Sequence, residues 1–165
     1  MISDSDIDVV QNCKASLLQS KLSEVAREEA DVIAKSVQDY YISVQHRKAK
    51  RNEYPPVVVA CAQDEKKWYT ETTHHDIPRQ CINNRLLKRL ENRLSGQYGK
   101  ESQYVKKNLI GHCAEPQAAN ELLRNEKVKD LDDIYFGKAY RPRTGVVIPP
   151  SENCRIVFDK GVVIQ

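Results

Sequence analysis

The chain has 165 residues, of which 40% are hydrophobic and 30% are charged. These proportions exclude an intrinsically disordered chain and predict one globular domain with a sizeable core. The net charge of +3 is compatible with a nucleic-acid partner but does not require one. No stretch reaches about 18 consecutive apolar residues, and the acidic N-terminus lacks the apolar segment of a signal peptide. We therefore expect no membrane span and no secretion signal.

The cysteines indicate a reducing environment. The chain has five of them, an odd number at wide spacings, which is unlike a disulfide framework. We expect a cytoplasmic site of action, with some thiols in the core and two available for a metal ion.

Residues 5–48 are predicted to form one long helix, because apolar residues recur every three or four positions. These residues are Leu22, Val25, Ala26, Ile33, Val37, Tyr40 and Val44. The pattern favours a helix packed on the rest of the domain over an arm that docks a partner. The cations of residues 46–51 suit a solvated helix end and could also contact phosphates. The chain is thereby divided into an N-terminal helical extension, residues 1–54, and a second unit, residues 55–165.

An antiparallel hairpin is predicted next, from residues 57–62 and 68–73, with Cys61 as a small core residue. His74 and His75 would point in opposite directions on a strand, so we interpret them as loop residues. Residues 79–96 are predicted to be helical, with a basic outer face. The inner face of this helix consists of Ile82, Leu86, Leu90 and Leu94.

The remaining elements complete an α/β chain with a mixed sheet. Residues 97–107 are expected to form a loop or a short helix, and residues 113–124 a core helix. Strands are predicted at residues 134–140 and 146–148, and a short helix near Ser151. Two β-branched runs, residues 156–158 and 162–164, are interpreted as the last edge of the sheet.

Two polar clusters carry the chemistry that the sequence suggests. In the first, Cys113 and Glu115 lie at the start of the core helix; in the second, Ser151 and Cys154 follow two prolines at the start of the short helix. Zinc binds thiolate and imidazole ligands, and helix-start amides favour a thiolate. A carboxylate beside a metal-bound water can move protons. The alternative is a buried thiol with a surface carboxylate, and Ser151 alone fits a helix N-cap better than a zinc ligand.

The segment Cys113-Ala114-Glu115, together with the downstream residues 150–154, resembles the zinc-dependent nucleoside and nucleic-acid deaminase superfamily. It is most similar to the YwqJ-like deaminase domains of bacterial polymorphic toxins. The resemblance covers roughly residues 55–158 and implies a three-layer cytidine-deaminase-like sandwich, preceded here by N-terminal helices. It implies a Zn²⁺ ion held by Cys113 and Cys154, with Ser151 at the position of the middle ligand.

The resemblance also assigns roles around the ion. Glu115 would be the catalytic proton shuttle, and the backbone amide of Ala114 would hold the carbonyl of the base. Trp68 and His112 are expected to contact the substrate. Further basic and aromatic residues suit a single-stranded polynucleotide, namely Lys106, Lys107, Tyr140, Arg141 and Arg143.

The sequence departs from the family pattern at Ser151, because a hydroxyl is a poor zinc ligand. Three explanations remain open: Ser151 or a water that it holds completes a weaker site, His112 or another residue substitutes, or the chain is an altered or inactive copy.

The function implied is hydrolytic deamination of a nucleobase, with cytosine in single-stranded DNA or RNA favoured over a free nucleoside or nucleotide. The toxin resemblance implies delivery as a secreted effector domain and an immunity protein as a further partner. A deaminase-fold binding protein without turnover is the main alternative. A cysteine hydrolase using Cys113 or Cys61 is the third.

Overall fold

A long N-terminal helix, α1, spans Asp4–Ser43 in a computed structural model that describes residues 3–73, 81–98, 104–105, 108–109 and 113–163. Three further helices follow: α2 (Asn84–Tyr98), α3 (Ala114–Asn125) and α4 (Glu152–Val157). The strands are β1 (Val58–Ala62), β2 (Tyr69–Thr72), β3 (Tyr104–Val105), β4 (Asn108–Leu109), β5 (Tyr135–Phe136), β6 (Ala139–Tyr140) and β7 (Val147–Ile148). Short 3₁₀ turns occupy Arg51–Glu53 and Leu131–Asp133.

The predicted N-terminal helix is confirmed, although it ends earlier than residue 48. Ser3 caps its start, and its hydroxyl accepts from the amide of Asp6 at 3.3 Å. Forty residues of helix extend about 60 Å, whereas a five-residue strand extends about 17 Å. The C-terminal part of the helix therefore extends beyond the sheet. Tyr40 and Val44, which were predicted on the buried stripe, are consequently 49% and 55% exposed.

The central strand of the sheet is β1, which pairs with β2 on one side and with β5 and β6 on the other. All five residues of β1 are buried. The predicted hairpin is confirmed, with Val58 opposite Thr72 and Cys61 opposite Tyr69. β7 pairs with β6 and extends the sheet.

Alternate residues of β1 face two different helical layers, as the period of a strand requires. Ala60 and Ala62 pack against Leu18, Leu22 and Ala26 of α1. On the opposite face lies a larger core to which α2, α3 and α4 all contribute. This core includes Val59, Cys61, Leu86, Leu90, Leu94, Ala118, Leu122, Phe136, Val157 and Phe158. The arrangement is a three-layer α/β structure in which α1 supplies one whole layer.

Glycine at position 137 allows α1 to approach the sheet closely. It lies between β5 and β6, and its amide donates to the carbonyl of Ala60 at 3.1 Å. A Cβ atom at this position would meet the backbone of Leu22 and Ser23. The next amide, of Lys138, donates to Ser23 Oγ at 2.8 Å. This bond joins α1 to the short segment between β5 and β6.

Three predictions about the sheet and its surroundings were wrong. Every strand pairing in the described residues is antiparallel, so the expected mixed sheet is not found there. Residues 156–158 do not form a sheet edge, because Val157 and Phe158 turn into the helical core at the end of α4. The segment 97–107, expected to be a loop or short helix, contains the strand β3, which pairs with β4 immediately after the segment.

The second predicted helix is confirmed as α2, with Ile82, Leu86, Leu90 and Leu94 buried as expected. Its arginines, however, are engaged by the protein itself. Arg85 donates to the carbonyl of Val128 at 2.8 Å, Arg89 pairs with Asp132 at 2.7 Å, and Arg93 donates to the carbonyl of Val157 at 2.9 Å. The arginines of α2 therefore bind the segment that follows α3 and the end of α4.

No helix in the described part of the chain combines the length and the apolarity needed to cross a membrane. The division of the chain at residue 54 stays a prediction.

Substituting Gly137 by alanine should destabilise the fold by about 1–3 kcal/mol or more, because the added methyl group collides with backbone rather than with a flexible side chain. Urea unfolding monitored by circular dichroism measures the change. Gly145→Ala is the control: it has open space but a φ of +72°, so its cost should be limited to about 1 kcal/mol. Equal losses in the two variants would contradict close packing of α1 at Gly137.

Candidate active site

The core helix α3 presents Cys113 at its first turn. Cys113 is the N-cap residue, with an extended backbone (φ −68°, ψ 164°). The end of α3 lies near the end of β1, because Tyr69 donates to Glu126 Oε1 at 3.0 Å and Gln63 donates to the carbonyl of Lys127 at 3.0 Å. Since α3 packs along β1, its start lies at the other end of that strand, where β1 begins.

The start of α4 presents the second cluster. Ser151 is its N-cap, as predicted, and Ser151 Oγ accepts from the amide of Cys154 at 3.2 Å. This bond places the serine hydroxyl and the Cys154 thiol on the same first turn. Cys154 itself is buried, at 1% exposure.

The structure brings the two clusters together across 39 residues of sequence. The thiol of Cys154 donates to Glu115 Oε2 at 3.5 Å. Cys113 lies close enough to the Cys154 thiol and to the Ser151 hydroxyl for both groups to lower its pKa. Cys113, Glu115, Ser151 and Cys154 therefore form one contiguous group, which we call the thiol–carboxyl site.

The acidity of these groups follows from their contacts. The S–H of Cys154, with a smaller contribution from the Ser151 hydroxyl, lowers the pKa of Cys113. The pKa of Cys154 is raised well above its usual value, because its interaction with Cys113 favours the protonated thiol and because the thiol is buried. The pKa of Glu115 is raised by burial, although its own backbone amide and Cys154 partly oppose the rise.

The thiol–carboxyl site lacks a compensating cation in the described residues: Glu115 takes part in none of their ion pairs. Glu115 is only 6% exposed. Three acidic groups that share so small a volume cannot all ionise unless a positive charge joins them. The site can therefore hold protons, or it can lose them to a bound cation.

The site could supply two sulfur ligands to a zinc ion, which is fewer than the three or four protein ligands usual for zinc. The thiols of Cys113 and Cys154 lie together, and thiolate is a ligand that zinc prefers. The third donor within reach is the Ser151 hydroxyl, which is a weaker ligand. Within residues 3–73, 81–98 and 113–163, this site included, no group of three or more His, Cys, Asp and Glu side chains is disposed around a common ion. His112 lies outside the described residues.

The substrate residues that the sequence suggested are only partly brought to this site. Ala114 is the first residue of α3 and is buried, so its backbone amide lies at the site. Trp68 is 41% exposed and precedes Tyr69, which pairs with Cys61 near the far end of β1. Lys21 of α1 lies over its ring at 5.1 Å. The structure therefore places Trp68 away from the thiol–carboxyl site.

Sequence reasoning missed two buried polar residues on the first turns of the site helices. Gln117 is 6% exposed on α3, and Asn153 is 5% exposed beside Cys154. The sequence did contain a signal for Gln117: it is a polar residue one helical turn after Cys113, on the same face of the helix, in a segment rich in alanine. His74, His75, Lys106 and Lys107 lie outside the described residues.

Replacing Ser151 by alanine should lower the free energy of unfolding by about 1 kcal/mol, because α4 loses its N-cap. It should also slow alkylation of Cys113 at neutral pH, because the pKa of that thiol rises when the hydroxyl is lost. Iodoacetamide labelling with a chelator present, read by peptide mass spectrometry, measures the rate. Ser151→Thr keeps the hydroxyl and should keep both properties. Unchanged labelling of Cys113 in Ser151→Ala would contradict the proposed contact.

Comparison of the chain with protein-family models, with curated proteins and with solved structures finds no match in any of the three.

Proposed function

We propose that the chain is a zinc-dependent hydrolytic deaminase of a nucleobase, with cytosine in single-stranded nucleic acid as its substrate. The observation that carries the proposal is the convergence of Cys113, Cys154 and Glu115, which two separate sequence clusters supply. A buried acidic group of this kind without a cationic neighbour is the environment that a divalent cation stabilises.

Cys113 and Cys154 would hold the ion, and Ser151 is the further oxygen donor within reach. When bound, zinc activates a water molecule as the nucleophile. The reaction consumes one water, exchanges the exocyclic amine of cytosine for an oxygen, and releases ammonia.

Glu115 performs the proton transfers. Its carboxylate accepts a proton from the attacking water and delivers it to the departing amine. Burial raises its pKa, so the protonated form that the second transfer needs is accessible nearer neutral pH than for an exposed carboxyl. The backbone amide of Ala114, the first residue of α3, would donate to the carbonyl of the base.

The fold supports the proposal in its coarse features. A three-layer α/β structure presents two helix starts at one end of the sheet, and both supply a thiol. The proposal includes membership of the toxin-type deaminases. It therefore also includes an immunity protein as a partner.

Glu115→Gln should reduce ammonia release by about 10²-fold or more, because the amide cannot carry the proton, while zinc stays bound. Ammonia release from single-stranded oligonucleotides, with C-to-U conversion read by sequencing, measures the activity. Glu121→Gln on the same helix is the matched control and should retain activity, since Glu121 contacts the exposed Arg124 instead. Turnover equal to wild type in Glu115→Gln would refute the shuttle role.

The zinc content should depend on the thiols of Cys113 and Cys154, with about one zinc per chain in the wild type. Cys154→Ser should lower the affinity for zinc, and Ser151→Cys should raise it, because a third thiolate replaces a weak oxygen donor. Elemental analysis after dialysis and competition with a chromogenic chelator give both quantities. Cys81→Ser removes an exposed thiol and serves as the control. A folded protein without zinc would favour the alternative of a binding protein without turnover.

A further inference from the structure

A basic cleft of about 630 Å³ lies between the segment that follows α1 and the turn that joins β6 to β7. Lys50 and Arg51 contribute to one wall, and Arg141 and Arg143 to the other. Tyr54 and Pro56 add apolar surface between them. The described side chains that line this cleft carry four positive charges and no negative charge.

The described residues supply no carboxylate partner to the four cations of the cleft. The nearest acid in sequence, Glu53, lies beside the wall that contains Lys50: its two oxygens accept from Arg47 at 2.7 and 2.8 Å, and Oε1 also accepts from the backbone amide of Lys50 at 2.7 Å. The basic cleft thus differs from the arginine face of α2, whose charges are bound to neighbouring loops.

Both walls of the cleft are held by backbone hydrogen bonds. The amide of Gly145 donates to the carbonyl of Arg141 at 2.7 Å, and the amide of Arg141 donates to the carbonyl of Val146 at 2.9 Å. On the other wall, the amide of Glu53 donates to the carbonyl of Lys50 at 3.0 Å. Ligand binding therefore needs little ordering of the backbone that carries the cations.

The cleft and the thiol–carboxyl site lie at the same end of the sheet. Arg141 directly follows β6, whose last residue, Tyr140, pairs with Val58 at the start of β1. Pro56 precedes the same strand. Because α3 also begins at this end, a polymer with one base at Cys113 could continue toward the cleft.

We propose that the basic cleft binds the phosphodiester backbone of single-stranded nucleic acid next to the nucleotide whose base is deaminated. The inference rests on the proposed function, which supplies the reason for a polynucleotide at this end of the sheet. Unpaired cations attract successive phosphates, and the ring of Tyr54 offers a surface on which a base can stack. The other large cavity, of about 700 Å³, is lined by Asp64, Glu65 and Asp133 as well as by lysines, so it does not suit a polyanion.

Charge reversal tests the basic cleft directly. In a Glu115→Gln background, which leaves the substrate unreacted, Arg141→Glu/Arg143→Glu should weaken the binding of a fluorescein-labelled single strand. The slope of log affinity against log salt should become less negative by about 1.4, since each of two lost phosphate contacts contributes about 0.7. Fluorescence anisotropy over a range of salt concentrations measures both changes. Lys50→Ala/Arg51→Ala repeats the test from the other wall, and circular dichroism verifies folding.

The matched control is Lys66→Glu/Lys127→Glu, which changes the net charge equally at exposed positions near the far end of β1. Equal weakening in this control, or unchanged binding in both cleft variants, would overturn the inference. Polyglutamate of the same length that competes as well as the oligonucleotide would also overturn it, because the cleft would then be a general polyanion site. Binding is measured in a variant without turnover, so cleft-dependent affinity together with no ammonia release by the wild-type chain would reject the proposed function alone.

Discussion

The structure depends on the meeting of two helix starts whose polar residues are 39 positions apart. Cys113 and Glu115 belong to α3, and Ser151 and Cys154 belong to the first turn of α4. Their contact places two thiols and a carboxyl in a buried volume that no side chain of opposite charge neutralises in the described residues. Burial of uncompensated acidic groups is costly unless they keep their protons or share a cation. In the proposed function, a bound cation satisfies that constraint.

The layers of the fold hold these helix starts in position. The fully buried strand β1 separates two helical layers, and α3 packs along it so that Cys113 lies at the end where β1 begins. On the opposite face, α1 closes the sheet through Leu22, Ser23 and Gly137. Within the helical layer, Asn120 of α3 accepts from the amide of Asn83 at 2.7 Å and donates to the carbonyl of Cys81 at 3.1 Å. The start of α2 is thereby fixed to the helix that carries the site.

The sequence was most informative where local rules decide the outcome. The hairpin, the buried face of α2, the start of α3 and the N-cap role of Ser151 were all predicted, because each depends on residue periodicity or on capping chemistry. The contact of Cys113 with Cys154 was expected only through the family resemblance, since no local rule determines which helix ends meet.

Other features depend on tertiary contacts that the pattern of residues does not encode. The strand orientations were misjudged, because pairing direction is a long-range property. Residues 156–158 have a composition typical of strands, but they do not form one. Val157 and Phe158 bury their side chains in the helical core instead. The basic runs on α2 and after α1 look alike in sequence. The tertiary contacts distinguish them: Arg89 pairs with Asp132 and Arg93 donates to the carbonyl of Val157, whereas the arginines of the basic cleft have no such partner in the described residues.

The central claim is that one metal ion is shared by the sulfur atoms of Cys113 and Cys154. X-ray absorption spectroscopy at the zinc edge of the purified protein tests it most directly. The account predicts two sulfur neighbours at about 2.3 Å, with the remaining neighbours being oxygen or nitrogen. A spectrum without sulfur neighbours, or one that is unchanged when Cys154 is replaced by serine, would contradict it.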